Sequence, residues 1–122
     1  MKPWQRDQLR RALEQRRGML FEELRRDAAR TRDERFADLA GAVTDRGDES
    51  VADLLADLGE AELSRDLAEL RDIEAARRRL ADGAYGICVD CGVEIGYERL
   101  RAEPAAARCL ECQARHEKTY RR

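Results

Sequence analysis

Two long stretches with leucine pacing, separated by a short polar segment, leave this chain few ways to fold. In the first, Leu9, Leu13, Leu20, Leu24, Ala28, Phe36, Leu39 and Val43 recur mostly at steps of three, four or seven. That spacing lines one face of an α-helix. In the second, Val51, Leu54, Leu55, Leu58, Leu63, Leu67, Leu70, Ile73 and Leu80 do the same. An amphipathic helix must cover its apolar stripe, and two such helices joined by a short connection do so by folding back on each other. Residues 4 to about 41 and 51 to about 81 are therefore expected to form two helices of an antiparallel coiled-coil hairpin. The tip falls at residues 42–50, which include "TDRGDES" at 44–50. At about 1.5 Å per residue the second helix would run about 46 Å.

Local signals agree with this reading. Pro3 stands where a helix start tolerates a missing N–H. Gly18 and Gly59 interrupt the stripes, each costing roughly 1 kcal/mol against alanine. Glu22 with Arg26, and Glu74 with Arg78, are spaced for ion pairs one turn apart. Asp82-Gly83 suits a helix end with glycine in the left-handed conformation. Charged residues make up 41% of the chain and aromatics 5%, which fits long helices better than a compact globule. Regularly spaced apolar residues, 43% of the total, argue against disorder.

From residue 83 the helical periodicity gives way to glycine, valine, isoleucine, tyrosine and all four cysteines. Cys88, Cys91, Cys109 and Cys112 read C-x2-C-x17-C-x2-C, the two-pair spacing of a structural zinc site. Gly92 lets the backbone curl round the first pair. Four thiolates close a tetrahedron and leave no position for a reacting water, so one structural Zn2+ is expected. Zinc with four thiolates carries −2, and Arg108 beside Cys109 is placed to offset part of it. The expected organisation is a hairpin over residues 1–82 and a zinc module with a terminal helix over 83–122.

The stretch "YGICVDCGVEIGYERLRAEPAAARCLECQ" at 85–113 resembles the zinc module of the DksA/TraR family, regulators that bind bacterial RNA polymerase. The resemblance rests on Tyr85-Gly86, the cysteine spacing, "CGVEIG" at 91–96, Arg99-Leu100 and Pro104. It extends to the preceding helical hairpin, without the extra N-terminal segment of the longest members. In that family the hairpin enters the polymerase secondary channel and presents an Asp-x-x-Asp-x-Ala motif near the active centre. The resemblance places Asp45, Asp48 and Ser50 at that motif, with serine replacing alanine. It implies a transcription regulator that modulates open-complex stability, with Asp48 the principal contact and Asp45 its support. Asp48 and Ser50 also suit the start of the second helix. Some family members take guanosine tetraphosphate through basic residues. Arg65 keeps one such position, whereas Asp72 and Gln113 stand at two others, so weak or absent help from that nucleotide is expected.

The remaining classes fare less well. A net charge of −2 argues against a general nucleic-acid coat. Residues 83–122 carry seven basic against six acidic side chains, a weak footprint for a zinc-ribbon nucleic-acid binder. A structural coiled coil that dimerises is the other alternative, but a hairpin already buries both stripes, so a monomer is expected. His116 is the single histidine and has no nucleophile to serve, so no enzyme is expected. No apolar run approaches the ~18 residues of a membrane span. The basic, polar start lacks the apolar core of a secretion signal, and a cytoplasmic protein is expected.

Overall fold

The computed structural model describes residues 1–46, 48–56 and 64–120, with side chains at all of these except 48–50, 56 and 120. Among them run six helices: α1 (Pro3–Arg30), α2 (Glu34–Asp45), α3 (Asp48–Ala56), α4 (Arg65–Asp82), α5 (Tyr97–Ala102) and α6 (Leu110–Tyr120). The described residues contain no strand, only an isolated antiparallel bridge between Ile87 and Glu94. Gly47, and Leu58, Gly59 and Leu63 of the second stripe, lie outside the described residues.

The first expected helix is in fact two. α1 stops at Arg30, and Asp33 starts α2 by accepting hydrogen bonds from the backbone N–H groups of Arg35 (3.0 Å) and Phe36 (3.2 Å). The Thr31 hydroxyl accepts from the Asp33 N–H at 3.1 Å. Aspartate at this position satisfies donors that a helix start leaves orphaned. The end of α4 follows the sequence reading. Gly83 takes φ +76°, Ala84 N–H reaches the Arg79 carbonyl at 2.8 Å, and Gly83 N–H reaches that of Leu80 at 3.4 Å. This pair of bonds is a Schellman cap.

Two compact units divide the chain inside both long helices: Glu14–Ala75, and Met1–Leu13 with Ala76–Arg122. In Glu14–Ala75 the stripes are buried as their spacing requires. Leu20, Leu24, Val43, Val51, Leu55, Leu67 and Leu70 have no solvent exposure. Phe36, Leu39 and Leu54 are half-buried, and Ala40 takes a fully buried place beside them in the sequence. Above this apolar layer, α1 and α4 are joined by ion pairs. Arg16 meets Glu69 with both nitrogens, at 2.6 and 2.8 Å. Arg17 meets Glu74, which is only 3% exposed, and lies over the Phe21 ring at 4.6 Å. Glu22 pairs locally, with Arg25 rather than Arg26. A planar guanidinium with a bidentate carboxylate fixes the rotation of one helix against the other more sharply than leucine contacts do.

In Met1–Leu13 with Ala76–Arg122, Leu9, Leu13, Ala76, Tyr85 and Leu100 form the buried apolar set. The start of α1 packs here. The Trp4 and Tyr97 rings meet edge-on at 5.8 Å, and the Tyr97 hydroxyl donates to the Gln8 side-chain oxygen. Gly86 adopts φ +88°, and a Cβ there would lie 2.9 Å from the Met1 methyl. No described helix is long and apolar enough to cross a membrane.

Gly18 is exposed within α1, and a Cβ there would meet nothing within 4 Å. Gly18→Ala should therefore raise the unfolding free energy by about 0.5–1 kcal/mol, through reduced backbone entropy of the unfolded chain. Urea unfolding of the zinc-loaded protein measures this, with the slope against denaturant unchanged. A loss of stability would contradict an open helical site.

Candidate metal centre

The chain between Asp82 and Leu110 buries little that is apolar, and it is organised instead by backbone turns around sulfur. Gly92, at φ +79°, turns the first cysteine pair so that its N–H reaches the Cys88 carbonyl at 3.0 Å. The Cys88 N–H reaches the Val93 carbonyl at 2.8 Å, and Ile95 N–H that of Gly86 at 2.8 Å. The second pair straddles the start of α6. Cys109 precedes the helix, its carbonyl accepts from Gln113 N–H at 2.8 Å, and its sulfur accepts from Cys112 N–H at 3.4 Å. A sulfur at a helix start is where negative charge is favoured.

These turns bring the four Sγ atoms within 4.8 Å of one another. Those of Cys91 and Cys109 are 3.8 Å apart. A zinc–thiolate bond of about 2.3 Å implies about 3.8 Å between sulfurs at the corners of a tetrahedron. A disulfide would require about 2.05 Å, and all four cysteines are free. Cys88 and Cys112 are buried, Cys109 is half-buried and Cys91 is exposed.

Their ionisation follows from their surroundings. Burial opposes the Cys88 thiolate, but backbone N–H groups of Cys91, Cys109 and Asp90 outweigh it and bring the thiol down to about 6. Cys112 is pushed up to about 12, by burial first and then by its hydrogen-bonded neighbours Cys109, Cys91 and Cys88. One sulfur ionises readily and the last resists, so only a dication makes four thiolates compatible. The donor set and its spacing fit zinc. With four protein ligands and no open position, the metal supplies folding energy rather than chemistry.

The arm carrying the second pair is tied down over its whole length. The Tyr85 hydroxyl donates to the Pro104 carbonyl at 2.7 Å, and burial raises that phenol to about 12. Arg79 donates to the Ala105 carbonyl at 3.5 Å, Val89 N–H to that of Ala107 at 2.9 Å, and Arg99 Nε to that of Arg108 at 3.0 Å. Arg108 was expected to offset thiolate charge; its Nε donates to Asp90 Oδ2 at 2.7 Å. Asp90 was not singled out from sequence. Its place between Cys88 and Cys91, opposite an arginine adjoining Cys109, was the available signal.

The expected polymerase contacts fall elsewhere. Asp45 is exposed and closes α2, while Asp48 and Ser50 occupy the first turn of α3. The side chains of Asp48 and Ser50, and Gly47 just before them, lie outside the described residues. Arg65 is exposed at the first position of α4, after Ser64, whose hydroxyl accepts from Leu67 N–H at 3.3 Å. Asp72 lies 3.8 Å from Arg71, and Gln113 bonds Glu117 at 3.1 Å.

Comparison with known proteins decides the family. The model of the prokaryotic DksA/TraR C4-type zinc finger matches residues 83–118. The solved structure of transcription factor DksA2 from Pseudomonas aeruginosa is 35% identical, with a TM-score of 0.57, over 99% of this chain and 89% of that one. This chain belongs to the DksA/TraR family. The DnaK suppressor protein from Agrobacterium tumefaciens is 30% identical, with a TM-score of 0.59, over 89% of this chain and 91% of its own. The RNA polymerase-binding transcription factor DksA of Caulobacter vibrioides is 47% identical over 49 residues, 40% of this chain and 34% of that protein. General stress protein 16O of Bacillus subtilis is 38% identical over 82 residues, 67% of this chain and 44% of that protein. The matches thus span less than half the length of these two curated relatives. As a DksA/TraR protein the chain carries a C4-type zinc finger, with Cys88, Cys91, Cys109 and Cys112 positioned as the four ligands.

Stripping the metal should unfold the zinc module and spare most of the helical hairpin. Zinc contributes on the order of 10–16 kcal/mol in finger peptides, far more than a few polar contacts at about 1 kcal/mol each. On adding excess chelator, two-dimensional NMR should lose the dispersed amide signals of residues 84–113 while those of α2 and α3 persist. Unchanged signals from 84–113 would contradict it.

Proposed function

We propose that this protein is a non-catalytic regulator of transcription initiation that binds bacterial RNA polymerase and works through Asp45 and Asp48. The single observation that carries this reading is the placement of the two acids. One ends α2 and the other begins α3, with only Arg46 and Gly47 between them in the sequence. Membership of the DksA/TraR family supports it, as do relatives named for polymerase binding. In the proposed mode the hairpin enters the secondary channel and brings these carboxylates near the catalytic Mg2+ and the cationic groups that handle nucleotide phosphates. Fixed negative charge there perturbs the elements holding template and substrate and so shifts open-complex stability. Ser50, in place of a small apolar residue, tunes the strength of the effect rather than the docking.

The charge distribution favours the same reading. Of 24 basic and 26 acidic residues, 14 basic and 8 acidic fall in Met1–Leu13 with Ala76–Arg122, leaving 10 and 18 in Glu14–Ala75. The unit that carries Asp45 and Asp48 is thus formally −8 and the other +6 before metal is counted. The basic excess is the one feature that favours direct nucleic-acid binding. Four thiolates with zinc would carry −2 and lower that excess to +4, and four of the arginines are held in local pairs, Arg10–Asp7, Arg101–Glu98, Arg99–Glu103 and Arg115–Glu111. Guanosine tetraphosphate has little to hold it, since Asp72 and Gln113 offer no cation beside Arg65.

Transcription in vitro from a ribosomal RNA promoter, with purified polymerase, tests this proposal. Asp48→Asn still caps a helix but loses the charge, and at equal occupancy it should weaken the effect about tenfold, the loss of one charge-assisted contact. Guanosine tetraphosphate should change neither wild type nor variant. A fully active Asp48→Asn protein, or an unaltered promoter response with wild type, would overturn the reading. Steeply salt-dependent affinity for free DNA would favour the nucleic-acid alternative.

A further inference from the structure

We propose that the Asp90–Arg108 ion pair is a latch that sets how long the zinc stays bound, by holding the exposed ligand Cys91 against the second cysteine pair. The four ligands are unequally protected. Cys88 and Cys112 are buried and Cys109 is half-buried, whereas Cys91 lies open to solvent. A competing chelator or thiol therefore reaches Cys91 first, and the metal escapes through displacement of that sulfur. For Cys91 to swing away, the turn that contains it must leave the arm before Cys109. Two bonds oppose this. Val89 N–H donates to the Ala107 carbonyl at 2.9 Å, and Arg108 Nε donates to Asp90 Oδ2 at 2.7 Å.

The latch has a fixed anchor. Arg99, whose side chain is only 14% exposed, holds the Arg108 carbonyl at 3.0 Å. Tyr85 holds the Pro104 carbonyl further back along the same arm. Arg108 is itself largely covered, with 24% of its side chain exposed, whereas Asp90 is 45% exposed. The movable partner is therefore Asp90, on the turn that carries Cys91. Zinc supplies the free energy of the folded module, and the ion pair supplies resistance to the first opening step.

Arg108 stands next to Cys109, which allows a competing role: a counter-charge for the thiolate cluster. The two roles give opposite results when Asp90 loses its charge. A latch is broken by Asp90→Asn, so zinc leaves faster. A counter-ion is freed by the same change, so zinc leaves more slowly.

The test uses the full zinc-loaded chain mixed with an excess of a chromogenic chelator, with metal transfer followed by stopped-flow absorbance. Asp90→Asn and Arg108→Gln should each speed release about fivefold, the scale of one partly covered ion pair. The double variant should be no faster than the faster single, because both changes break the same contact. The charge-exchanged double variant, Asp90→Arg with Arg108→Asp, should recover part of the wild-type rate. Added salt should speed wild-type release and leave Asp90→Asn unchanged. Circular dichroism of each loaded variant verifies that the helices are intact. Release from Asp90→Asn at or below the wild-type rate, or effects of the two single changes that multiply, would overturn the proposal.

Discussion

Four sulfurs brought within a few ångströms cannot all carry charge unless a dication sits among them, and the last forty residues depend on that constraint. This stretch buries Tyr85, Leu100, Cys88 and Cys112, and little else that is apolar. So small an apolar set stabilises a fold weakly. The metal closes two loops at once, and the arm between them can then be fixed by single hydrogen bonds to carbonyls of Pro104, Ala105, Ala107 and Arg108. The start of α1 joins the same unit through Trp4, Gln8 and Tyr97.

A different balance holds in Glu14–Ala75. Its apolar residues are almost all leucine, valine, isoleucine and alanine, which pack densely but discriminate poorly between neighbouring registers of two helices. The paired arginines and carboxylates of α1 and α4 supply that discrimination, and the Arg17–Glu74 pair does so almost out of water. Removing one partner of such a pair is costly, on the order of 3–5 kcal/mol, because the other charge stays buried. A unit held in one register places its terminal residues reproducibly. A proposed function that turns on carboxylates at the end of α2 and the start of α3 requires that.

Much of the fold was legible in the sequence because its periodicity is long and its stop signals are strong. Leu9, Leu13, Leu20, Leu24, Leu55, Leu67 and Leu70 of the stripes are buried, and the Asp82-Gly83 end is a glycine cap, as its residues require. The break at residues 31–33 was not legible. Apolar spacing continues from Ala28 to Phe36, so a capping aspartate looks like any exposed acid until the helix is seen to stop. The contact of Glu74 with Arg17 on α1 was hidden for another reason. Pairs along one helix follow from spacing, whereas pairs between helices depend on their relative rotation, which the sequence does not state. At the metal centre, cysteine spacing alone located the four ligands. The Asp90–Arg108 contact escaped because it joins residues 18 apart that only the zinc fold brings together.

The central claim is that the acid-bearing end of the hairpin is what meets the polymerase core. Site-specific crosslinking tests it most directly, with a photoreactive residue placed at Asp45 in one protein and at exposed Lys118 of α6 in another. Each is bound to polymerase and irradiated, and the adducts are mapped. The account predicts that the probe at position 45 crosslinks to polymerase segments bordering the active centre and that the probe at 118 does not. Adducts from position 118 at the active centre, or from position 45 only on the outer surface of the enzyme, would contradict it.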